Sequence, residues 1–67
     1  MMQLSDHANE QLASRHITET DVAEALSIGA RWDCNQTPGI HYARLNDLFV
    51  VLHGRGDWVI TSYRLEH

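Results

Sequence analysis

At Gly29 the chain changes its hydrophobic period, and that one switch limits the folds open to it. Before it, apolar residues recur about every four positions: Leu4, Ala8 and Leu12, then Val22, Ala25 and Leu26. This spacing predicts two helices, each with one apolar stripe. After it, Ala30, Trp32 and Cys34 alternate with Arg31, Asp33 and Asn35, which is the pattern of a half-buried strand. Helices first and strands second define an α+β domain.

Local signals set the element limits. The first helix is expected over residues 4–15, with Ser5 as N-cap and Asp6 placed where the helix dipole favours an anion. His7, Gln11 and Arg15, spaced by four, share one flank of it. His16 and Ile17 form the break. Thr18 caps the second helix, Asp21 completes a shortened capping box, and Ile17 and Val22 suit a hydrophobic staple. Gly29 is expected to end this helix in the left-handed conformation. Four strands follow, over residues 30–35, 40–45, 48–53 and 58–64. Thr37-Pro38-Gly39, Asn46-Asp47 and residues 54–57 supply the turns. Leu48-Phe49-Val50-Val51-Leu52 is apolar on both faces, which predicts the central strand. Short connections predict an antiparallel α-α-β-β-β-β meander, with both helices packed on one face of a four-stranded sheet. The other face then stays open or meets a partner.

Length and charge narrow the classes. Sixty-seven residues make one domain, taken as residues 1–64. Leu65-Glu66-His67 resembles the start of an expression tag and is set aside. A core this small gains from association, so a homodimer is one expectation. Nine acidic residues outweigh five basic ones, for a net charge of −4. All the basic residues are arginines, spread along the chain rather than gathered in a patch, and this counts against RNA binding. A single cysteine, Cys34, rules out an intramolecular disulfide and fits a reducing cytoplasm. No signal peptide is expected, and no apolar run approaches the ~20 residues of a membrane span, so the expected location is cytoplasmic, away from membranes.

Several apparent motifs dissolve on inspection. Arg55-Gly56-Asp57 falls in a hairpin loop and reads as a turn. Asn35-Gln36-Thr37 matches a glycosylation sequon without a secretory signal beside it. Cys34, on the apolar side of its strand next to Trp32, is expected to be a buried structural thiol. His7, His16, His41 and His53 show no metal-binding spacing, so no metal and no cofactor are expected.

Three stretches form a larger pattern. The first is His7-Ala8 with Leu12, Arg15 and Ile17. The second is Thr18-Glu19-x-Asp21-Val22-x-x-Ala25-Leu26. The third is the strand from Leu48 to Leu52, a glycine-containing loop, and Val59-Ile60-Thr61-Ser62-Tyr63-Arg64. In order and spacing, over roughly residues 5–64, the chain resembles the family called domain of unknown function 4258. That family is itself thought to be related to the RelE/ParE-like and barnase-like RNase toxins. The resemblance implies helices laid against an antiparallel sheet and, by analogy, RNA cleavage without metal. Such cleavage needs a base for the 2′-hydroxyl, an acid for the leaving oxygen and cations for the phosphorane charge. The matching positions assign His7 as acid or base, Arg15 as phosphate clamp, and Tyr63 as stacking or proton-donating group. Thr61 and Arg64 become RNA contacts. The acidic balance, the lack of lysine and the lack of a strand before the first helix depart from the toxin pattern. Two functions are therefore carried forward. One is a metal-free, toxin-like ribonuclease, with RNA as substrate and an antitoxin or other protein as partner. The other is a non-catalytic protein-interaction module that uses the exposed sheet face or edge.

Overall fold

In the computed structural model, which describes residues 3–54 and 58–65, the period change at Gly29 separates two helices from the main sheet. Helix α1 spans Asp6–Ser14. The Ser5 hydroxyl accepts from the Ala8 N–H at 3.0 Å and starts it. At its end His16 takes φ 57°, and the Ile17 N–H reaches back to the Leu12 carbonyl at 2.9 Å. This six-to-one bond is the Schellman closure, and it brings Leu12 and Ile17, both buried, together across the turn.

Helix α2 spans Glu19–Ile28 and carries the expected capping box. The Asp21 N–H donates to the Thr18 hydroxyl at 3.1 Å, and the Thr18 N–H donates to an Asp21 carboxylate oxygen at 3.0 Å. Gly29 differs from the expectation. Its φ of −77° and ψ of 170° are extended, not left-handed. Glycine is required there by crowding: a Cβ would lie 2.4 Å from the Ala25 carbonyl oxygen and 2.4 Å from that of Arg44.

The sheet has five strands: β1 (Gln3–Leu4), β2 (Ala30–Asp33), β3 (Ile40–Leu45), β4 (Leu48–His53) and β5 (Trp58–Arg64), in the order β1-β5-β4-β3-β2. From β2 to β5 it is the expected antiparallel meander, with β4 central. Asn46, at φ 56°, supports the tight turn between Leu45 and Leu48. The expectation of four strands, with none before the first helix, is corrected. Leu4 belongs to β1, which pairs in parallel with Trp58 and Val59. The Ser5 N–H adds a bond to the Val59 carbonyl at 3.3 Å before its side chain turns the chain into α1. Because β1 is so short, the outer edge of β5 beyond Val59 has no strand partner among the described residues.

Both helices pack on one side. Leu48, Val50 and Leu52 of β4, with Ala43 and Val59, meet Ala8, Leu12, Ile17, Val22 and Ala25 in a single buried cluster. Ser62 is buried among them and donates its hydroxyl to the Phe49 carbonyl at 3.0 Å. Between Val51 and Leu52 the register with β5 slips, since their partners are Thr61 and Val59. The extra residue, Ile60, forms a bulge that keeps both Val59 and Ser62 on the core side. Strand β2 departs from expectation: all of its residues are exposed, and Trp32 faces the uncovered side of the sheet. Cys34 lies just past β2 and is only half-buried, so it is not the buried core thiol expected. The Arg55-Gly56-Asp57 turn lies outside the described residues, as do Glu66 and His67. Among the described residues no helix is long and apolar enough to cross a membrane.

Candidate functional site

Alternation along paired strands decides which side chains reach the face opposite the helices. On β4 these are Phe49, Val51 and His53; on β3, Ile40, Tyr42 and Arg44; on β2, Trp32; on β5, Trp58, Thr61 and Tyr63. Four of the rings form a continuous row across β2, β3, β4 and β5. Trp32 lies 5.6 Å from Tyr42 and 5.7 Å from Phe49 between ring centroids. Tyr42 lies 5.4 Å from Phe49, which stacks on Tyr63 at 5.2 Å with planes 29° apart. Offset and edge contacts of this kind hold rings in fixed positions, at about 0.5–1.5 kcal/mol per pair. Trp32 and Trp58 remain 43% exposed, and no element covers this face among the described residues.

The row ends at the incompletely paired edge of β5, where the flank of α1 comes down beside it. The Arg15 guanidinium donates to the Ser62 carbonyl at 2.8 Å, an edge acceptor that β1 does not reach. Its central carbon sits 6.0 Å from the Tyr63 ring centroid, in cation–π range. One turn earlier, the Thr61 hydroxyl donates to the Gln11 side-chain carbonyl. Arg15, Thr61 and Tyr63 are therefore brought to one edge, together with Gln11 from the same flank of α1.

His7 and Arg64 do not join them. His7 is exposed, on the same flank but eight residues from Arg15, about 12 Å along the helix axis. It makes no hydrogen bond or ion pair among the described residues. Arg64 alternates to the helix side of the sheet, opposite Leu48, and its guanidinium meets Asp47 at 3.1 Å and Asp21 at 3.6 Å. It ties β5 to α2 and to the β3–β4 turn rather than to the ring row.

A second concavity, of about 730 Å³, opens beside the end of β2 and is lined by Cys34, Arg31 and His41. His41 there has a fixed tautomer. Its Nε2–H donates to the Gly54 carbonyl at 2.9 Å, so Nδ1 is left to accept from Arg31 at 3.2 Å. The Tyr42 hydroxyl, helped by the N–H groups of Gln36 and Thr37, holds the Cys34 thiol below its ordinary pKa, and the same contact pushes the Tyr42 phenol up. Among the described residues no group of three His, Cys, Asp or Glu side chains gathers to hold a metal ion.

The ring row was missed as a site in the sequence, although each of its members falls at an alternating strand position. Only the strand register aligns them. No family model, curated protein or solved structure matches the chain.

Proposed function

We propose that this chain is a binding module that works through its uncovered sheet face and does not itself turn over a substrate. The observation that carries this reading is the row of four rings, Trp32, Tyr42, Phe49 and Tyr63, on the side the helices leave open. A contiguous apolar and aromatic patch on a small domain marks an interaction surface. Aromatic anchors held rigid by one another lose little side-chain entropy when a partner docks.

A second reading, metal-free RNA cleavage, rests on the resemblance to the toxin-related family and on one contact, the Arg15 guanidinium beside the Tyr63 ring. It needs a proton acceptor within reach of that pair. His7 stands two turns away, so the binding reading is preferred.

Two measurements test the choice. RNA is incubated with wild type, His7→Ala, Arg15→Ala and Tyr63→Phe proteins in the presence of chelator. The binding reading expects the same background from all four, and turnover lost in Tyr63→Phe overturns it. Tagged wild type and a Trp32→Ser/Phe49→Ser variant are then used to capture material from lysate, scored for both nucleic acid and protein. Capture that depends on the face supports the module; identical retention by the two proteins contradicts it.

A further inference from the structure

We infer that the occupant of the uncovered face is a single-stranded nucleic acid, its bases stacked on the ring row and its phosphates met by Arg44 and Arg15. This inference rests on the binding-module reading and names the partner of that same face.

Charge is partitioned across the sheet against the balance of the whole chain. The net charge is −4, yet no aspartate or glutamate stands on the ring-bearing face among the described residues. Asp33 alternates to the opposite side, paired with His41, while Asp21 and Asp47 hold Arg64 there. Glu19, Asp21 and Glu24 ride on α2, and Asp6 and Glu10 on α1. The cations nearest the ring row, Arg44 on the face and Arg15 at the β5 edge, are placed beside rings. Arg44 is exposed and lies directly across from Phe49, and Arg15 sits over Tyr63. A surface of partly exposed rings, tilted against one another and bordered by guanidinium groups, with no carboxylate among the described residues, is complementary to a polyanion that carries aromatic rings.

The alternatives fit less well. Two copies docked face to face would bring Arg15 and Arg44 of each against the same cation-bearing surface, with no carboxylate among the described residues of that face to receive them. A duplex keeps its base faces stacked on one another and offers none to the row. A single strand offers unstacked bases and regularly spaced phosphates. The row crosses three inter-strand spacings, about 14 Å, which is room for roughly two or three bases.

Both tryptophans of the chain lie on this face, so their emission reports binding directly. Oligo(dT) and oligo(rU) single strands and a matched duplex are titrated into the intact protein at several salt concentrations. The expected result is saturable quenching by the single strands and much weaker quenching by the duplex. Affinity should fall with salt at a slope of about −0.7 per phosphate neutralised, and Arg44→Gln should reduce that slope by about 0.7. Phe49→Leu should weaken binding by roughly fivefold or more. Should Phe49→Leu impair folding, Arg44→Gln and Trp32→Ser, both at exposed positions, keep the test decisive. Absence of saturable quenching, or affinities unchanged by all three substitutions, overturns the inference. Face-dependent capture of a protein, without oligonucleotide binding, overturns the nucleic-acid partner and leaves the module reading standing. A concentration-dependent dimer that Trp32→Ser abolishes assigns the face to a second copy and overturns the inference too.

Discussion

Replacing Gly29 with alanine should destabilise the domain sharply, although the backbone there is one that any residue can adopt. With φ at −77° the added methyl meets no conformational penalty, and the loss of glycine's freedom in the unfolded chain would by itself favour folding by about 0.4–1 kcal/mol. The obstacle is contact. A Cβ at this site falls 2.4 Å from two backbone oxygens, of Ala25 in α2 and of Arg44 in β3. Neither can rotate away as a side-chain tip would. Relief from one oxygen does not relieve the other, so the last turn of α2 must part from β3. Overpacking costs about 1–3 kcal/mol, and two fixed backbone obstacles place this case at the top of that range. Subtracting the unfolded-state gain leaves a net loss of about 2 kcal/mol. For a domain of this size that lowers Tm by about 8–16 °C. Thermal unfolding followed by far-ultraviolet circular dichroism would measure it. Gly54→Ala is the informative comparison, because Gly54 has φ 74° and nothing within 4 Å of its virtual Cβ, so only conformational strain acts there. A Gly29→Ala protein as stable as wild type would refute the close-approach argument.

Other substitutions test other joints of the structure. Thr18→Ala removes the hydroxyl that receives the Asp21 N–H and should cost about 1 kcal/mol in denaturant unfolding. The Thr18 backbone N–H, then its hydroxyl, hold the Asp21 carboxyl below its ordinary pKa, with Arg64 adding to the effect. A depressed carboxyl stabilises the fold above its unfolded pKa of about 4, and that contribution fades as pH falls through the lower folded value. The stability gap between wild type and Asp21→Asn should therefore be open at neutral pH and close in acid, as denaturant midpoints across that range would show. His16→Gly relieves a positive φ at the Schellman turn and should raise stability by up to about 1 kcal/mol in the same assay. Tyr42→Phe removes the foremost group lowering the Cys34 thiol pKa, so ultraviolet titration of the thiolate should show it moving up toward the ordinary cysteine value.

The helices and the central strand could be read from the sequence because their signals are local. Thr18 and Asp21 form their box within one turn, and the doubly apolar run from Leu48 to Leu52 marks the central strand, with Leu48, Val50 and Leu52 buried under the helices and Phe49 and Val51 half-buried on the open side. Strand β1 could not be read. Two residues have no measurable period, and their parallel pairing with Trp58 and Val59 is made across the whole chain. Alternation in β2 showed that Ala30 and Trp32 share a face, but not that the face looks away from the core. Gly29 was correctly placed at the end of α2 for a different reason from the one that operates, since crowding between α2 and β3 leaves no trace in local sequence. The site divides in the same way. Spacing by four put Gln11 and Arg15 on one flank, but their meeting with Thr61 and Tyr63 depends on β1 stopping short and leaving the β5 edge free. Arg64, beside Tyr63 in sequence, was assigned with it to the RNA-contacting set, and strand alternation sends it to the other side of the sheet.

The claim that the uncovered sheet face is the working surface is tested most directly by an amide NMR titration of the intact protein with a single-stranded oligonucleotide. The expected shifts concentrate on Trp32, Tyr42, Arg44, Phe49 and Tyr63 and on both indole N–H groups, with α2 unchanged. Shifts centred on α2 or on the cleft beside Cys34, with the ring row silent, would contradict it.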